Sequence, residues 1–317
     1  MFRHKDYVEC IYKERSFGKA AEKLHVSQPA LSAMIKRLEK ELGAPLFNRK
    51  TTLLTLTPFG AEYLKSARVV TDLENRLRNL AYGLNTLQYG ELTICAFSLS
   101  IQYRVSLLIA AFKAKFPLIQ VRLLNSNTLY GKQMVDAYES DLMVSTKPMD
   151  AQAYVGVPAY EEHLILAVPA QDPINAKYQE YQLTPDSLRQ IALPAVKALS
   201  LEKFSQVPFI LANKNNYIRT CANQLFQEVR VNPIITMETE SSSICLNFAQ
   251  LGVGATICSD LLLEHQNFQK ELCLYKLKST LSSRKGMVYY RSGAYVTPAM
   301  EQFLTLAQEQ YQRDKGL

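Results

Sequence analysis

Gln28, Ser32, Lys36 and Arg37 fall on one side of a helix whose other side carries Leu31, Ile35, Leu38 and Leu42 at spacings of 4, 3 and 4. A glutamine can bond adenine at two points, and a serine reaches a base edge or a phosphate. Lysine and arginine hold phosphates or guanine. This is binding chemistry rather than covalent chemistry, and its counterpart is a DNA groove. Ser27 is placed to cap the helix, Pro29 is tolerated in its first turn, and Gly43 ends it. Ahead of it, Ser16 caps a helix predicted over Phe17 to Leu24, with Ala20, Ala21 and Leu24 facing inward. His25 and Val26 make the turn. Two short helices with alanines at their crossing form a helix-turn-helix, whose second helix enters the major groove.

After Gly43 come Leu46, Phe47, Asn48, Arg49 and Lys50, then the β-branched, alternating stretch from Thr51 to Thr57. This predicts a two-stranded wing, with Arg49 and Lys50 near its tip, in reach of the backbone or minor groove. The competing reading is a solvated polar face on an ordinary core helix. Charge placement bears on the choice. Residues 1–58 hold 11 of the 36 Lys/Arg and 6 of the 29 Asp/Glu, so most of the net +7 sits in this segment. Phosphate neutralisation requires that placement, although charge alone fits a plain basic surface equally well.

Other chemistries find little support. The six cysteines (10, 95, 221, 245, 258 and 273) are scattered without a C-x-x-C pair, and the four histidines show no ligand spacing. No metal centre and no cofactor is expected. Gly252-Val253-Gly254 follows a predicted helix, so it reads as a turn rather than a dinucleotide fingerprint. No apolar run has the length of a membrane span, and Met1 to Asp6 does not begin a signal peptide. A soluble, cytoplasmic chain without a membrane partner is the expectation.

Thr57 caps a further helix with Pro58 as its first residue. Val70, Leu73, Leu77, Leu80, Leu84 and Leu87 follow at spacings of 3, 4, 3, 4 and 3. That is a coiled-coil seam, and Val70 to Leu84 are its dimerisation candidates. From Glu91 onward strands and helices alternate. Strands are expected at Leu92–Phe97, Ile119–Leu124 and Asp141–Ser145, and the βαβαβ order implies a parallel sheet with helices on both faces. A second set starts at Leu164–Val168. The last strands, Leu272–Leu277 and Met287–Tyr290, are grouped with the first set.

The N-terminal segment resembles LysR-type transcriptional regulators. The matching residues are Ser16-Phe17, Ala20-Ala21, the run Leu24 to Ser32, Ile35, Leu38-Glu39, Leu42-Gly43, Pro45-Leu46-Phe47, Arg49 and Leu56 to Gly60. One departure stands out: Ala33 and Met34 occupy positions where relatives carry Arg and often Gln. The resemblance then implies the loss of a base or phosphate contact common among relatives, with a thymine methyl group as the alternative partner for Ala33. The C-terminal match is looser, through Gly90 to Ile94, Phe116-Pro117, Asp141-Leu142, Asp172-Pro173 and Leu251 to Gly254. The resemblance implies an α/β multidomain chain: an all-α winged helix-turn-helix domain (1–58), a long linker and dimerisation helix (59–88), and a two-lobed α/β effector domain (89–317). That domain is similar to periplasmic solute-binding proteins, with lobe I at 89–161 and 268–317 and lobe II at 162–267.

The DNA-contacting set is then Ser27, Gln28, Pro29, Ser32, Ala33, Lys36, Arg37, Arg49 and Lys50. Ligands in open α/β sheets lie beyond the carboxyl ends of strands. The effector candidates placed there are Ser98, Leu99, Ser100, Asn127, Thr128, Ser145, Lys147, Tyr217, Ile218, Arg219 and Cys258. Helix N-termini nearby favour a carboxylate. The expected partners are double-stranded DNA, a small-molecule effector and a second copy of the chain, as a homodimer or homotetramer. Two rivals remain. One is a regulator without an effector. The other is an enzyme or solute-binding protein with an incidental basic N-terminus, which no nucleophile-elbow, P-loop or metal-ligand spacing supports.

Overall fold

The computed structural model describes residues 1–48, 54–81, 90–184, 197–263 and 271–314. It opens with a helix the sequence reading did not anticipate, α1 (Lys5–Glu14), which buries Val8 and Ile11 in the same core as α2 (Phe17–Lys23). α3 (Gln28–Leu42) buries Leu31, Ile35 and Leu38 there, beside the fully packed Ala20 and Ala21. Both expected caps form: Ser16 Oγ accepts from the Lys19 N–H at 3.4 Å, and Ser27 Oγ from the Ala30 N–H at 3.3 Å. His25, at φ +54°, closes α2 in the left-handed region where glycine is more at ease.

The wing follows as β1 (Phe47–Asn48) antiparallel to β2 (Thr55–Leu56). Its base is held by Glu39, whose carboxylate accepts from the Leu46 and Phe47 N–H groups at 2.8 and 3.3 Å. Arg49 and Lys50 lie outside the described residues. Thr57 Oγ1 donates to the Pro45 carbonyl at 2.6 Å and accepts from the Gly60 N–H at 2.8 Å, capping α4 (Pro58–Ala81). α4 packs Tyr63, Leu64 and Ala67 into the first core. Further along, Leu73 and Leu77 stand 50% and 66% exposed.

The remaining chain forms two lobes. β3 (Gly90–Ala96) runs parallel to β4 (Ile119–Asn125) and to β5 (Leu142–Ser145). Between them lie α5 (Ser98–Ser100), a π turn (Ile101–Val105), α6 (Ser106–Lys115) and α7 (Thr128–Asp136). The second lobe contains α8 (Ile174–Lys177), the parallel pair β7 (Pro208–Ala212) and β8 (Ile234–Thr239), and the helices α9 (Tyr217–Glu228) and α10 (Ser242–Gln250). The expected parallel sheet is only part of the outcome. β6 (Tyr154–Pro169) is one sixteen-residue strand, and its neighbours β9 (Thr256–Ser259), β10 (Leu272–Lys276) and β11 (Ser283–Arg291) are all antiparallel to it. α11 (Pro298–Asp314) closes the chain against the first lobe's core.

One expectation is corrected here. The strand at Leu164–Val168 is the second half of β6 rather than the start of a new set. Its first half was hidden by Gly156, Pro158 and two glutamates. Pro158 has no N–H to donate, and the pairing absorbs it with a register shift opposite Gly286 and Met287. β10 pairs with residues 165–169 of β6 and faces two ways, with Leu272 and Leu274 in the main core and Tyr275 in the second lobe's core. Among the described residues, no helix is long and apolar enough to cross a membrane.

A Cβ added at Gly60 would lie 2.0 Å from the Leu46 carbonyl oxygen, which is backbone and cannot swing aside. Gly60→Ala is expected to lower stability by about 2–4 kcal/mol. The check is thermal unfolding; an unchanged midpoint would show that α4 does not rest on the wing as described.

Candidate functional site

The exposed face of α3 presents Gln28, Pro29, Ala33, Lys36 and Arg37 to solvent, with Ser32 half-buried and Ser27 exposed at the cap. The helix is held from behind by its apolar stripe, so this face is free to enter a groove. Ala33 sits among the polar residues as a small apolar spot. No acidic side chain lies in its first turn, so its N-terminus stays attractive to phosphate.

A second site lies between the lobes, a cavity of about 710 Å³. Its walls come from strand ends, as the α/β arrangement demands. β3 leads into Phe97, Leu99 and Ser100, β4 into Ser126 and Asn127, and β5 into Ser145, Thr146 and Lys147. Across the gap, β7 leads into Asn213 to Asn216, followed by Tyr217 and Ile218 of α9. Asn127 Oδ1 caps α7 by accepting from the Tyr130 N–H at 3.0 Å, and Asn216 Oδ1 caps α9 by accepting from the Ile218 N–H at 3.0 Å. Ser145 Oγ accepts from the Lys147 N–H at 3.1 Å.

The floor was invisible in the sequence. Arg284 of β11 and Glu162 of β6 form an ion pair at 2.7 Å, with both side chains almost wholly buried. Arg284 also donates to Cys221 Sγ at 3.7 Å and lies 5.6 Å from the centre of the Tyr217 ring. Lys147 Nζ lies 6.0 Å from the same ring. Tyr217 of the second lobe thus receives two cations from the first, a cation–π clasp across the gap. Burial, with Cys221 alongside, pushes the Tyr217 phenol up to about 12, so it serves as a neutral hydroxyl. Tyr160 donates to Ser100 Oγ at 2.8 Å, and its ring occupies the space a Cβ on Gly286 would need.

The cleft therefore brings together Leu99, Ser100, Asn127, Ser145, Lys147, Tyr217 and Ile218. Thr128 is the first residue of α7. Three expected effector contacts lie elsewhere. Ser98 Oγ donates to Asn125 Oδ1 at 3.0 Å. Arg219 is buried and spent on the Ala212 carbonyl, Glu238 and Asn223 at 2.8, 2.6 and 3.0 Å, clamping the second lobe from within. Cys258 is fully buried in the main core, where burial pushes its thiol up. Glu162, Arg284, Lys214 and Glu240 line the cleft without having been foreseen. Lys214 and Glu240 follow β7 and β8, where strand ends were a usable signal. Among the described residues, no group of three or more His, Cys, Asp or Glu side chains could hold a metal ion.

Replacing Glu162 alone by leucine strands the Arg284 charge and is expected to cost about 3–5 kcal/mol in urea unfolding. The double change Glu162→Leu with Arg284→Met should recover most of that loss. Equal losses in the single and double variants would mean the pair contributes shape rather than charge.

The chain matches two family profiles. One, described as "Bacterial regulatory helix-turn-helix protein, lysR family", covers residues 2–61. The other, "LysR substrate binding domain", covers residues 85–312. Among curated relatives, the uncharacterized regulator YcgK of Bacillus subtilis is 26% identical over 310 residues, spanning 96% of this chain and 93% of that one. The regulator CysB of Burkholderia cenocepacia is 25% identical over 291 residues, spanning 91% and 86%. A full-length OxyR variant from Pseudomonas aeruginosa has the same fold, with a TM-score of 0.76 at 19% identity, covering 98% of this chain and 94% of that one. Full-length CbnR complexed with its target DNA gives 0.64 at 20% identity, covering 98% and 99%. The second profile spans well over half of the chain, and with the helix-turn-helix match before it the conclusion is direct: this protein belongs to the LysR family of bacterial helix-turn-helix regulators.

Proposed function

We propose that this chain is a cytoplasmic one-component regulator, in which a small anionic molecule bound between the lobes alters how paired helix-turn-helix units hold DNA. The observation that carries the reading is the combination in one chain of an exposed polar recognition face on α3 with a separate interlobe cleft. CbnR, similar in fold, is known bound to its target DNA, which supports the same use of α3 here. The contacting set is Ser27, Gln28, Pro29, Ser32, Ala33, Lys36 and Arg37, with Arg49 and Lys50 from the wing. Residues 1–58, 59–88 and 89–317 are the corresponding domains.

Pairing is assigned to α4. Val70 is half-buried, while Leu73 and Leu77 are apolar and open to solvent, at the spacing a partner helix would cover. Leu80 continues the series along the same helix, and Leu84 lies outside the described residues. Two recognition helices related by a two-fold axis would meet a roughly palindromic site.

The cleft reading rests on size and polarity. A volume of about 710 Å³ suits a metabolite. Lys147, Lys214 and Arg284 outnumber Glu162 and Glu240, and the capped N-termini of α7 and α9 open onto the space. A carboxylate fits best. The ligand need only bind one arrangement of the lobes better than another; no covalent step is required.

DNA affinity is expected to fall steeply as salt rises from about 50 to about 200 mM, on the order of a thousandfold if six or more phosphates are contacted. Gln28→Ala with Ser32→Ala should flatten base preference more than it weakens nonspecific binding; retained preference would displace the recognition face from α3. For the cleft, full-length protein is screened by thermal shift against small carboxylates. A true ligand at 100 times its Kd stabilises by about 2.7 kcal/mol, and Lys147→Ala should blunt the shift. A library without a hit would favour a regulator whose lobes serve assembly alone.

A further inference from the structure

We propose that α7 is a lever between the cleft and the DNA-binding unit, and that Arg68 is the positioning residue at its far end. The proposal rests on the regulator reading above and adds a route to it. The two ends of α7 face different sites. At the N-terminal end, Asn127 caps the helix, and Asn127, Leu129 and Tyr130 line the interlobe cavity. Nine residues later, about 13 Å along a helix, the chain leaves α7 at Ala137 to Glu139. There it meets α4.

The meeting point is one buried guanidinium. Arg68 is 8% exposed. Its Nη1 lies 2.7 Å from Glu139 Oε1 and donates to the Ala137 carbonyl at 3.2 Å. Its Nε lies 3.4 Å from the Glu9 carboxylate of α1 but makes no hydrogen bond, and the guanidinium stands 5.9 Å from the Tyr12 ring centre. A single side chain therefore touches α1, α4 and the exit of α7. α1 supports α2, and α2 supports the recognition helix α3, in one continuous core. Lys5 Nζ to Glu74 Oε2, at 2.9 Å, ties α1 to α4 a second time.

Three features suit α7 to move as a unit. Its exit is rigid: the Glu139 N–H donates to the Met134 carbonyl at 2.8 Å and the Tyr138 N–H to the Val135 carbonyl at 3.2 Å. That is a Schellman closure, with Tyr138 held at φ +55° where glycine is usual. Its bed is soft: Val135 packs in a small cluster apart from the main core, with Met134, Met143, Met149 and Met287 in it. Unbranched thioethers refill a gap at low cost when a neighbour shifts. Its far end has room: a cavity of about 410 Å³ surrounds the contact, lined by Glu9, Arg68 and Thr71 on one side and by Tyr138, Glu139 and Arg291 on the other. A ligand that tightens the Asn127 end thus moves the partners of Arg68.

The test is a double-mutant cycle in the full-length protein, read as affinity for duplexes the parent chain selects from a random-sequence pool. Asn127→Ala disturbs the cleft end and Glu139→Gln the Arg68 end. Asn127→Ala should change DNA affinity at least about fivefold although it lies far from α3, and its effect in the Glu139→Gln background should shrink to less than about twofold. Thermal unfolding of each variant separates coupling from loss of fold. Effects that simply multiply would overturn the lever. Failure of the parent chain to bind any duplex would overturn the regulator reading and the lever with it; additive variants with intact DNA binding would remove the lever alone.

Discussion

The ion pair between Glu162 and Arg284 is the interaction around which the effector half is arranged. Two charges in an almost dry site are tolerated only when each has its partner at close range, and 2.7 Å with near-total burial meets that condition. The pair requires β6 and β11 to lie side by side in one register. That register places Tyr160 opposite Gly286, and Tyr160 in turn holds Ser100 at the end of α5. Satisfying the pair therefore sets the height of the cleft floor as well as its charge. Cys221 and Tyr217 complete the surroundings of Arg284 from the other lobe, so both halves of the domain meet at one cation.

The DNA-binding half depends on local rules, and for that reason it was legible. Ser16, Ser27 and Gly43 act within four residues of themselves, as caps and stops, and Thr57 caps α4 through Gly60 while its hydroxyl also reaches back to the Pro45 carbonyl. The stripe of Leu31, Ile35 and Leu38 reports its own periodicity. α1 escaped notice because it offers no side-chain cap and buries only Val8 and Ile11, with Cys10 half-buried between them. The wing's role as a footing for α4 was also hidden, since Gly60 against the Leu46 carbonyl is a contact between backbones.

In the effector half, strand ends were a good guide to the walls of the cleft and a poor one to its floor. Asn127, Ser145 and Tyr217 follow strands and line the space, as their positions promised. Arg219 promised the same and does otherwise: its guanidinium turns inward to the Ala212 carbonyl and Glu238. A helix's first turn offers both directions, and periodicity does not choose between them. Glu162 and Arg284 carried no local signal, because each sits inside a strand and acquires its meaning only from antiparallel pairing between distant segments. The same kind of distant pairing sets β10 against β6, where its side chains alternate between the two cores.

β6 has a mechanical consequence. Its first half is bonded to β11 and its second to β9 and β10, so the two lobes share an unbroken strand rather than a loose joint. A loop hinge swings freely at little cost. A bonded strand resists bending in the plane of its sheet but accepts changes of twist, which every sheet already has. The lobes are thus joined by a torsion spring. A change in how the lobes meet is therefore carried as twist along β6 and its bonded neighbours.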